Sequence, residues 1–255
     1  MAKARIGVIG AGPGGLTSAM ILAHRGFDVT VFERKDRAGG RNAPLVLGDY
    51  TFDTGPTFLM MKFILDQIFA EAGRQPEDSL DFISLDPLYR LKIGGVELFP
   101  SPDVEKTKAQ VREHFPGDAD GVDRFMKAEG TRFERLLPCL QKAYPSFFAY
   151  LSPVFIKALP WMSLGRTVFQ NLGRYFEEDD LKLCFAFQSK YLGMSPWECP
   201  AFFTMLSYIE HAFGIHHVRG GLNRISAAMA QALEEEGGAL RLNTAVDRLL
   251  LDGRR

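Results

Sequence analysis

The stretch "RIGVIGAGPGGLTSAM" (Arg5–Met20) places four glycines within six residues, between an apolar run and a segment with helical spacing. The run Arg5–Gly10 predicts a short strand buried on both faces of a sheet. Gly14–Arg25 predicts a helix, and Asp28–Arg34 predicts a second strand. Strand, helix and strand in this order form a βαβ unit, so the sequence predicts a parallel sheet.

The glycines match a dinucleotide-binding pattern. Gly10, Gly12 and Gly15 fit G-x-G-x-x-G directly after a strand and at the start of a helix. In that pattern the first glycine permits a tight turn, the second lets a pyrophosphate approach the backbone, and the third lets helix and strand pack closely. Glu33 ends the second strand, where a carboxylate can bind both hydroxyls of a ribose. An acid there argues against a 2′-phosphate, and therefore against NADP.

Two further stretches favour FAD over NAD. "RAGGR" (Arg37–Arg41) follows Glu33 closely, and "DTGPT" (Asp53–Thr57) follows shortly after. A second glycine pair beside arginines suits further contact with a diphosphate. The alternative is an ordinary basic surface loop.

A change of composition near Asp81 predicts a second domain. "LYRLKIGGVELFP" predicts a hairpin that turns at Gly94-Gly95, and Ser101-Pro102 are predicted to begin a helix. The Phe-rich residues 144–208 predict a largely helical insertion interrupted by prolines. We therefore assign residues 1–80 and 212–255 to a nucleotide-binding domain, and 81–211 to an inserted helical domain.

The end of the chain predicts a continuation. Val246–Leu251 is predicted to be a strand, and Asp252-Gly253 favours a hairpin turn, but no returning strand follows. On this basis we expect the chain to be the N-terminal part of a longer protein.

The composition excludes several functions. The 255 residues carry a formal net charge of −1 and a pI near 6.5, which does not favour nucleic acid. Cys139, Cys184 and Cys199 are scattered, which favours reduced, buried thiols over a metal site. Neither a secretory signal nor an uncharged apolar run of transmembrane length is present in the sequence, so we expect a cytoplasmic protein.

The motifs "GVIGAGPGGL", "VFERKDRAGGR" and "FDTGPT" resemble the flavin amine-oxidase superfamily. "YFEEDDLKLCFAFQSKYLGMSP" and "YIEHAFGIHHVRGGLNRISAAM" resemble its phytoene and carotenoid desaturase branch more closely. The resemblance implies an α/β fold, in which an FAD-binding Rossmann-like parallel sheet carries an inserted, largely helical substrate domain. The superfamily's C-terminal glycine-rich flavin motif is absent from this sequence.

The resemblance also implies an FAD site. Residues 10–15 would surround the pyrophosphate, Glu33 would hold the adenosine ribose, and Arg41 would lie against the phosphates. Gly55 and Pro56 would lie near the flavin, and Val246 would meet the adenine through its backbone. The full predicted cofactor set is Gly10, Ala11, Gly12, Pro13, Gly14, Gly15, Glu33, Arg34, Gly40, Arg41, Gly55, Pro56 and Val246.

The reaction implied by the resemblance introduces double bonds into a long apolar isoprenoid, such as phytoene, by hydride transfer to flavin N5. Quinone or oxygen would then accept the electrons. Such a substrate is dissolved in a membrane, and "PSFFAYLSPVFIKALPWMSLGR" (145–166) mixes aromatic and basic residues as an interfacial helix does. We therefore expect peripheral association with the cytoplasmic membrane; the alternative for this segment is a buried helix pair.

The sequence leaves the catalytic groups unassigned. Glu210 and His211 are clustered in an apolar stretch, where a desolvated carboxylate would have a raised pKa and could act as a base. A structural role for both, or a position beside the flavin, is the favoured interpretation. His216 and His217 lack companions at metal-ligand spacing, so we predict no metal. Alternative functions are a carotenoid isomerase, another amine-oxidase-type flavoenzyme, or a non-enzymatic isoprenoid-binding protein that resembles the Rab escort and dissociation-inhibitor proteins.

Overall fold

A computed structural model of the chain describes residues 4–251. The described residues form two compact units. The first runs up to Ser84 and resumes at Ile215, and the second is Leu85–Gly214. The sequence predicts boundaries after residues 80 and 211, whereas the structure has them after residues 84 and 214. The first segment extends to Ser84 because Phe82–Ser84 pairs antiparallel with His216–Val218 inside the first unit.

The regular elements alternate in type through the first unit and are mostly helical in the second, with short 3-10 turns between them. In chain order they are β1 (Arg5–Ile9), α1 (Pro13–His24), β2 (Asp28–Phe32), β3 (Pro44–Leu47), β4 (Tyr50–Asp53), α2 (Lys62–Glu71), β5 (Phe82–Ser84), β6 (Leu91–Ile93), β7 (Val96–Leu98), α3 (Val104–His114), α4 (Ala119–Leu140), α5 (Pro153–Ala158), α6 (Val168–Leu172), α7 (Asp179–Cys184), α8 (Met205–Phe213), β8 (His216–Val218), α9 (Asn223–Glu235) and β9 (Ala239–Arg241).

A parallel sheet in the order β1-β2-β9 forms the centre of the first unit, as the βαβ pattern predicts. Val29 and Val31 of the middle strand β2 are fully buried. The expectation that β1 is buried on both faces is wrong, since Ile9 is 58% exposed. In the described part of the chain β1 pairs only with β2, and its residues alternate between the core and solvent.

Helices α1 and α9 supply the rest of this core. Leu16 and Met20 of α1 are fully buried in one apolar cluster with Met229 and Leu233 of α9. Ile225, Met229 and Leu233 recur at helical spacing along α9, and all three are buried in this core. Packing of α1 on α9 therefore holds the start of α1 in place next to the sheet.

The second unit has its own aromatic core. The ring of Phe125 on α4 lies 5.0 Å from that of Phe185, which lies 4.7 Å from that of Phe176. All three side chains are buried, whereas Phe147 and Phe148 are 77% and 78% exposed. The Phe-rich block thus divides into core residues and a strongly exposed group.

Three further sequence predictions differ from the structure. Helix α3 begins after Asp103, whose carboxylate accepts a hydrogen bond from the Glu105 N–H, and not at Ser101-Pro102. Asp103 prevails because its side chain caps the free N–H, while Ser101 is buried and bonds the Asp103 N–H. Residues 145–166 do not form one interfacial helix: Pro153 and Pro160 each start a new short turn.

The third difference concerns the end of the chain. Residues 246–251 form no strand, and Leu249, Leu250 and Leu251 are 71–81% exposed. A strand requires a hydrogen-bonded neighbour, and none of the described residues pairs with this segment. The predicted turn at Asp252-Gly253 lies outside the described residues.

Candidate functional site

The glycine turn joins β1 to α1, and two of its glycines are required by the chain itself. Gly10 has a φ of +96°, which favours glycine, and its N–H bonds the carbonyl of Phe32 at 2.8 Å. A Cβ on Gly15 would overlap the carbonyl oxygen of Gly10. Gly15 therefore allows α1 to pack closely against the strand end.

Gly12 and Gly14, the other two glycines of the turn, are not required by the backbone conformation or by the packing of the chain. Gly12 has ordinary extended angles, φ −76° and ψ 172°, and a Cβ there would have only the Cα of Gly40 as a neighbour, at 4.0 Å. A Cβ on Gly14 would meet nothing within 4 Å. The missing side chains at Gly12 and Gly14 leave open space at the first turn of α1, where unpaired N–H groups favour an anion.

The "RAGGR" stretch lies directly against this turn. The Gly39 N–H bonds the carbonyl of Ala11 at 2.7 Å, and a Cβ on Gly40 would be 3.0 Å from the Cα of Gly12. Within the described residues Arg41 is exposed and forms no ion pair, whereas Arg37 is held by Asp36. Arg41 is thus the arginine of this stretch that is available to a phosphate.

Glu33 is buried at the end of β2 and faces the same turn. Its Oε2 accepts the Ala11 N–H at 2.8 Å, and its Oε1 accepts the Lys35 N–H at 2.9 Å. Burial by itself raises the pKa of Glu33, but these two backbone bonds and the nearby positive charges of Arg34 and Lys35 hold it below its ordinary value. The ionised carboxylate keeps a second lone pair on each oxygen, which two ribose hydroxyls could use.

The remaining predicted cofactor residues differ in how closely they pack on the residues already described. A Cβ on Gly55 would overlap the carbonyl oxygen of Arg41, so "DTGPT" packs closely on the "RAGGR" backbone. The Thr244 N–H bonds the Glu33 carbonyl at 2.8 Å, which brings the segment before Val246 beside Glu33. Arg34 and Pro56 are exposed.

An apolar cavity of about 360 Å³ begins at the glycine turn. Pro13 and Thr17 of α1 form one wall, Pro56 and Met61 another, and Met229 of α9 a third. Two separately predicted segments, the glycine motif and "DTGPT", therefore contribute to one cavity inside the first unit.

Two residues whose roles the sequence did not predict, Asp53 and Asn42, hold the start of α9 in this region through hydrogen bonds. Asp53 accepts hydrogen bonds from the N–H groups of Leu222 and Asn223, at 3.0 and 3.4 Å, and thereby caps α9. Asn42 donates to the Leu222 carbonyl and to the Ser226 hydroxyl. The sequence carries one signal for this arrangement: "RGGLN" starts a helix without a side-chain cap of its own, so the cap comes from elsewhere.

Asn42 also bears on the cofactor. It is 8% exposed and lines the apolar cavity, and its Oδ1 has no hydrogen-bond partner among the described residues. A buried acceptor without a donor is costly unless a bound group supplies one. Together with the space at Gly12 and Gly14 and the carboxylate of Glu33, this feature fits a nucleotide that lies across the turn and extends into the cavity.

Glu210 and His211 lie within the second unit and are almost fully buried on α8. Burial raises the pKa of Glu210, although bonds from Gln188 and the Tyr191 hydroxyl lower it in part. Burial lowers the pKa of His211, whose ring stacks on Phe185. The predicted raised carboxylate pKa is present, and the contacts of both residues are those of a packed core.

The described residues offer neither a metal site nor a membrane-spanning helix. Residues 4–251 contain no cluster of three or more His, Cys, Asp or Glu side chains placed to hold a metal ion. Over the same residues, no helix combines the length and the apolar character needed to cross a bilayer. Cys139, Cys184 and Cys199 are free and buried, and burial raises the pKa of the Cys184 thiol to about 12.

The parallel βαβ sheet, its glycine turn and the acid at the end of β2 define a dinucleotide-binding protein. Residues 13–255 match the profile of the flavin-containing amine oxidoreductases, and the chain belongs to that family. The predicted α/β fold class and the predicted FAD cofactor are confirmed by this membership.

Curated relatives confirm the resemblance to the carotenoid desaturase branch. The chain is 49% identical to a 4,4′-diapophytoene desaturase (4,4′-diapolycopene-forming) of Methylomonas sp over 96% of its own length and 48% of the relative's. It is 33% identical to a neurosporene-forming phytoene desaturase of Rhodobacter capsulatus, over 96% and 47% of the two lengths. The chain thus spans about half the length of the curated relatives it matches.

Solved structures show the same fold at low identity. Cyclohexylamine oxidase from Brevibacterium oxydans matches with a TM-score of 0.55 and 18% identity, over 94% of this chain and 51% of that one. Rab GDI from Plasmodium falciparum matches with a TM-score of 0.51 and 13% identity, over 99% and 61%. These likenesses concern the fold alone.

Proposed function

We propose that the chain belongs to an FAD-dependent desaturase that acts on a long apolar isoprenoid of the phytoene or diapophytoene class, and that its first unit binds the nucleotide. The observation that carries this proposal is the 49% identity to a 4,4′-diapophytoene desaturase over 96% of the chain. The geometry of the first unit supports it, because the turn, Glu33 and Arg41 meet at one place.

In this proposal each residue has a limited task. Gly12 and Gly14 admit the pyrophosphate, Glu33 accepts the ribose hydroxyls, and Arg41 neutralises phosphate charge. The apolar walls of the cavity exclude water from the part of the nucleotide that enters it. Bound FAD supplies hydride acceptance from the carbon chain, which is chemistry that no side chain of the protein provides.

Conversion of a carotenoid precursor tests this function. The protein is expressed with phytoene or diapophytoene supplied in vesicles, and the polyene is followed by its visible absorption and by chromatography. Longer conjugation is expected. A change of double-bond geometry alone would indicate an isomerase, peroxide release with amines would indicate an amine oxidase, and a colourless protein that binds the polyene would indicate a carrier.

The electron acceptor is part of the same proposal. Quinone or oxygen takes the electrons after each desaturation, and the two are separated by assays without oxygen, with and without an added quinone. Turnover that requires oxygen even when quinone is present would exclude quinone.

We further propose that the protein is cytoplasmic and associates peripherally with the membrane through residues 145–166. Phe147, Phe148 and Leu164 in this segment are 72–78% exposed, and large exposed apolar groups beside lysine and arginine favour the interface of a bilayer. Flotation with liposomes is the test. Protein that stays entirely in the soluble fraction would contradict the proposal.

A further inference from the structure

The second unit carries a basic cleft that the proposed reaction does not use. Its volume is about 550 Å³, and it lies between α4, the turn after α5 and the residues that follow α6. Four cationic side chains line it and no acidic one among the described residues does; they are Arg124, Lys127, Arg132 and Arg174.

The charge in this cleft is largely uncompensated. Arg132 is paired with buried Glu129, whose carboxylate oxygen lies 2.9 Å from its Nη1. Arg124 donates to a backbone carbonyl, that of Tyr175, at 2.8 Å. Among residues 4–251, Arg124, Lys127 and Arg174 form no ion pair within 4 Å, although the charge of Arg174 also acts on Glu129.

Arg132 adds a fixed positive charge to the wall of the cleft. It is only 5% exposed. Its two Nη atoms bond Glu129, the Ala201 carbonyl, the Ser163 hydroxyl and Asn171, which fixes the guanidinium in place. A guanidinium that is already ordered loses little conformational freedom when an anion binds beside it.

The position of the cleft indicates where the phosphate comes from. Trp161 and Ser163 form one of its walls, and both belong to the same segment 145–166 that exposes Phe147, Phe148 and Leu164. Apolar side chains at the acyl boundary, next to cations at the depth of the phosphates, are the arrangement that binds anionic bilayers.

We propose that this cleft binds the phosphate of an anionic phospholipid headgroup when segment 145–166 lies in the membrane interface. This inference rests on the membrane association proposed above, and it adds a lipid preference to it. The three cleft cations that form no ion pair attract a headgroup with a net negative charge. A zwitterionic headgroup carries its own positive charge and is attracted less, so anionic lipid is favoured.

The test is flotation of the protein with vesicles of phosphatidylcholine alone or with added phosphatidylglycerol. The variant Lys127→Gln/Arg174→Gln removes two cleft cations, and Lys92→Gln/Arg112→Gln removes two exposed cations elsewhere on the second unit. We expect phosphatidylglycerol to strengthen binding of the parent, and the cleft variant to lose about tenfold or more of that gain. The control variant should lose less than about twofold, because its charges lie outside the cleft.

Four other results would overturn the inference of a lipid-binding cleft. They also distinguish its failure from a failure of the proposed function. Equal binding to both vesicle types leaves membrane association standing without the lipid preference. Equal loss in both variants indicates a general charge effect. Displacement by millimolar inorganic phosphate assigns the cleft to free phosphate. Failure to float on any vesicle contradicts membrane association itself, whereas desaturation in detergent would still support the enzyme.

Discussion

At the scale of single residues, the glycine turn separates two uses of glycine that the sequence motif does not distinguish. Gly15 is required by the chain's own packing, because a Cβ there would overlap the Gly10 carbonyl oxygen. Gly12 is not, because a Cβ there would have only one neighbour, at 4.0 Å. A motif gives the positions, but only the fold shows which glycine serves the protein and which leaves room for a ligand.

This difference predicts opposite effects of two alanine substitutions. Gly15→Ala should lower the free energy of unfolding by about 1–3 kcal/mol, since the new methyl group forces α1 away from the strand end. Gly12→Ala should change it by less than about 0.5 kcal/mol. Urea denaturation of both variants measures this, and equal destabilisation by the two would contradict the assignment.

Glu33 predicts a dependence of stability on pH. Its backbone bonds from Ala11 and Lys35 outweigh burial and lower its pKa, so its contribution is present above the unfolded-state pKa and is lost as pH falls through the folded-state pKa. Glu33→Gln places an amide N–H₂ against one of two N–H donors and should destabilise the protein at pH 7 by about 1–3 kcal/mol.

The check is to compare urea midpoints of the parent and Glu33→Gln at pH 7 and near pH 3.5. The difference between them should narrow at the lower pH, because the stabilisation from the lowered pKa of Glu33 is lost progressively as pH falls from its unfolded-state pKa toward its folded-state pKa. A difference of the same size at both pH values would show that the carboxylate's charge does not stabilise this turn.

At the scale of secondary-structure elements, the sequence predicted the elements whose formation depends mainly on residues close together in the chain. The βαβ unit and the hairpin at Gly94-Gly95 follow from apolar spacing and turn residues, and the structure contains both. The start of α3 was misplaced because Ser101 and Asp103, two positions apart, can both cap a helix. The cap of α9 could not be predicted, since Asp53 is far from Leu222 in the chain and only the folded sheet brings them together.

The Asp53 cap can be measured. Asp53→Ala removes the acceptor for the Leu222 and Asn223 N–H groups and should lower the free energy of unfolding by about 1–2 kcal/mol. Asp49→Ala is the matched control, because Asp49 is exposed in the turn between β3 and β4. Equal denaturation midpoints for the two variants would rule out the cap.

A buried ion pair joins α4 to its surroundings in the second unit. Glu129 has no exposed surface and accepts bonds from Arg132, Tyr175 and Asn171. Glu129→Ala leaves Arg132 buried without its counter-ion and should lower the free energy of unfolding by about 3–5 kcal/mol. Glu134→Ala, on an exposed position of the same helix, should cost under about 0.5 kcal/mol; thermal or urea unfolding that fails to separate the two would contradict this role.

At the scale of the whole molecule, sequence predicted the class of fold and cofactor better than the details of the site. Residues 10–15, Glu33 and "RAGGR" are close together because backbone bonds join them, and the motif spacing anticipates this. Asn42 and the apolar cavity were missed, since their elements are distant in sequence and meet only through packing of α1 on α9. The exposed apolar group in 145–166 was anticipated by composition, but its broken helices were set by Pro153 and Pro160.

The central claim is that the turn at Gly12 admits the diphosphate of FAD, and titration of FAD into the parent and Gly12→Ala tests it most directly. Quenching of flavin fluorescence gives the dissociation constant for each. We predict that the parent binds FAD and that Gly12→Ala, folded as well as the parent by circular dichroism, binds at least about tenfold more weakly, about 1.4 kcal/mol. Equal affinity of the two proteins, or no FAD binding by the folded parent, would contradict the account.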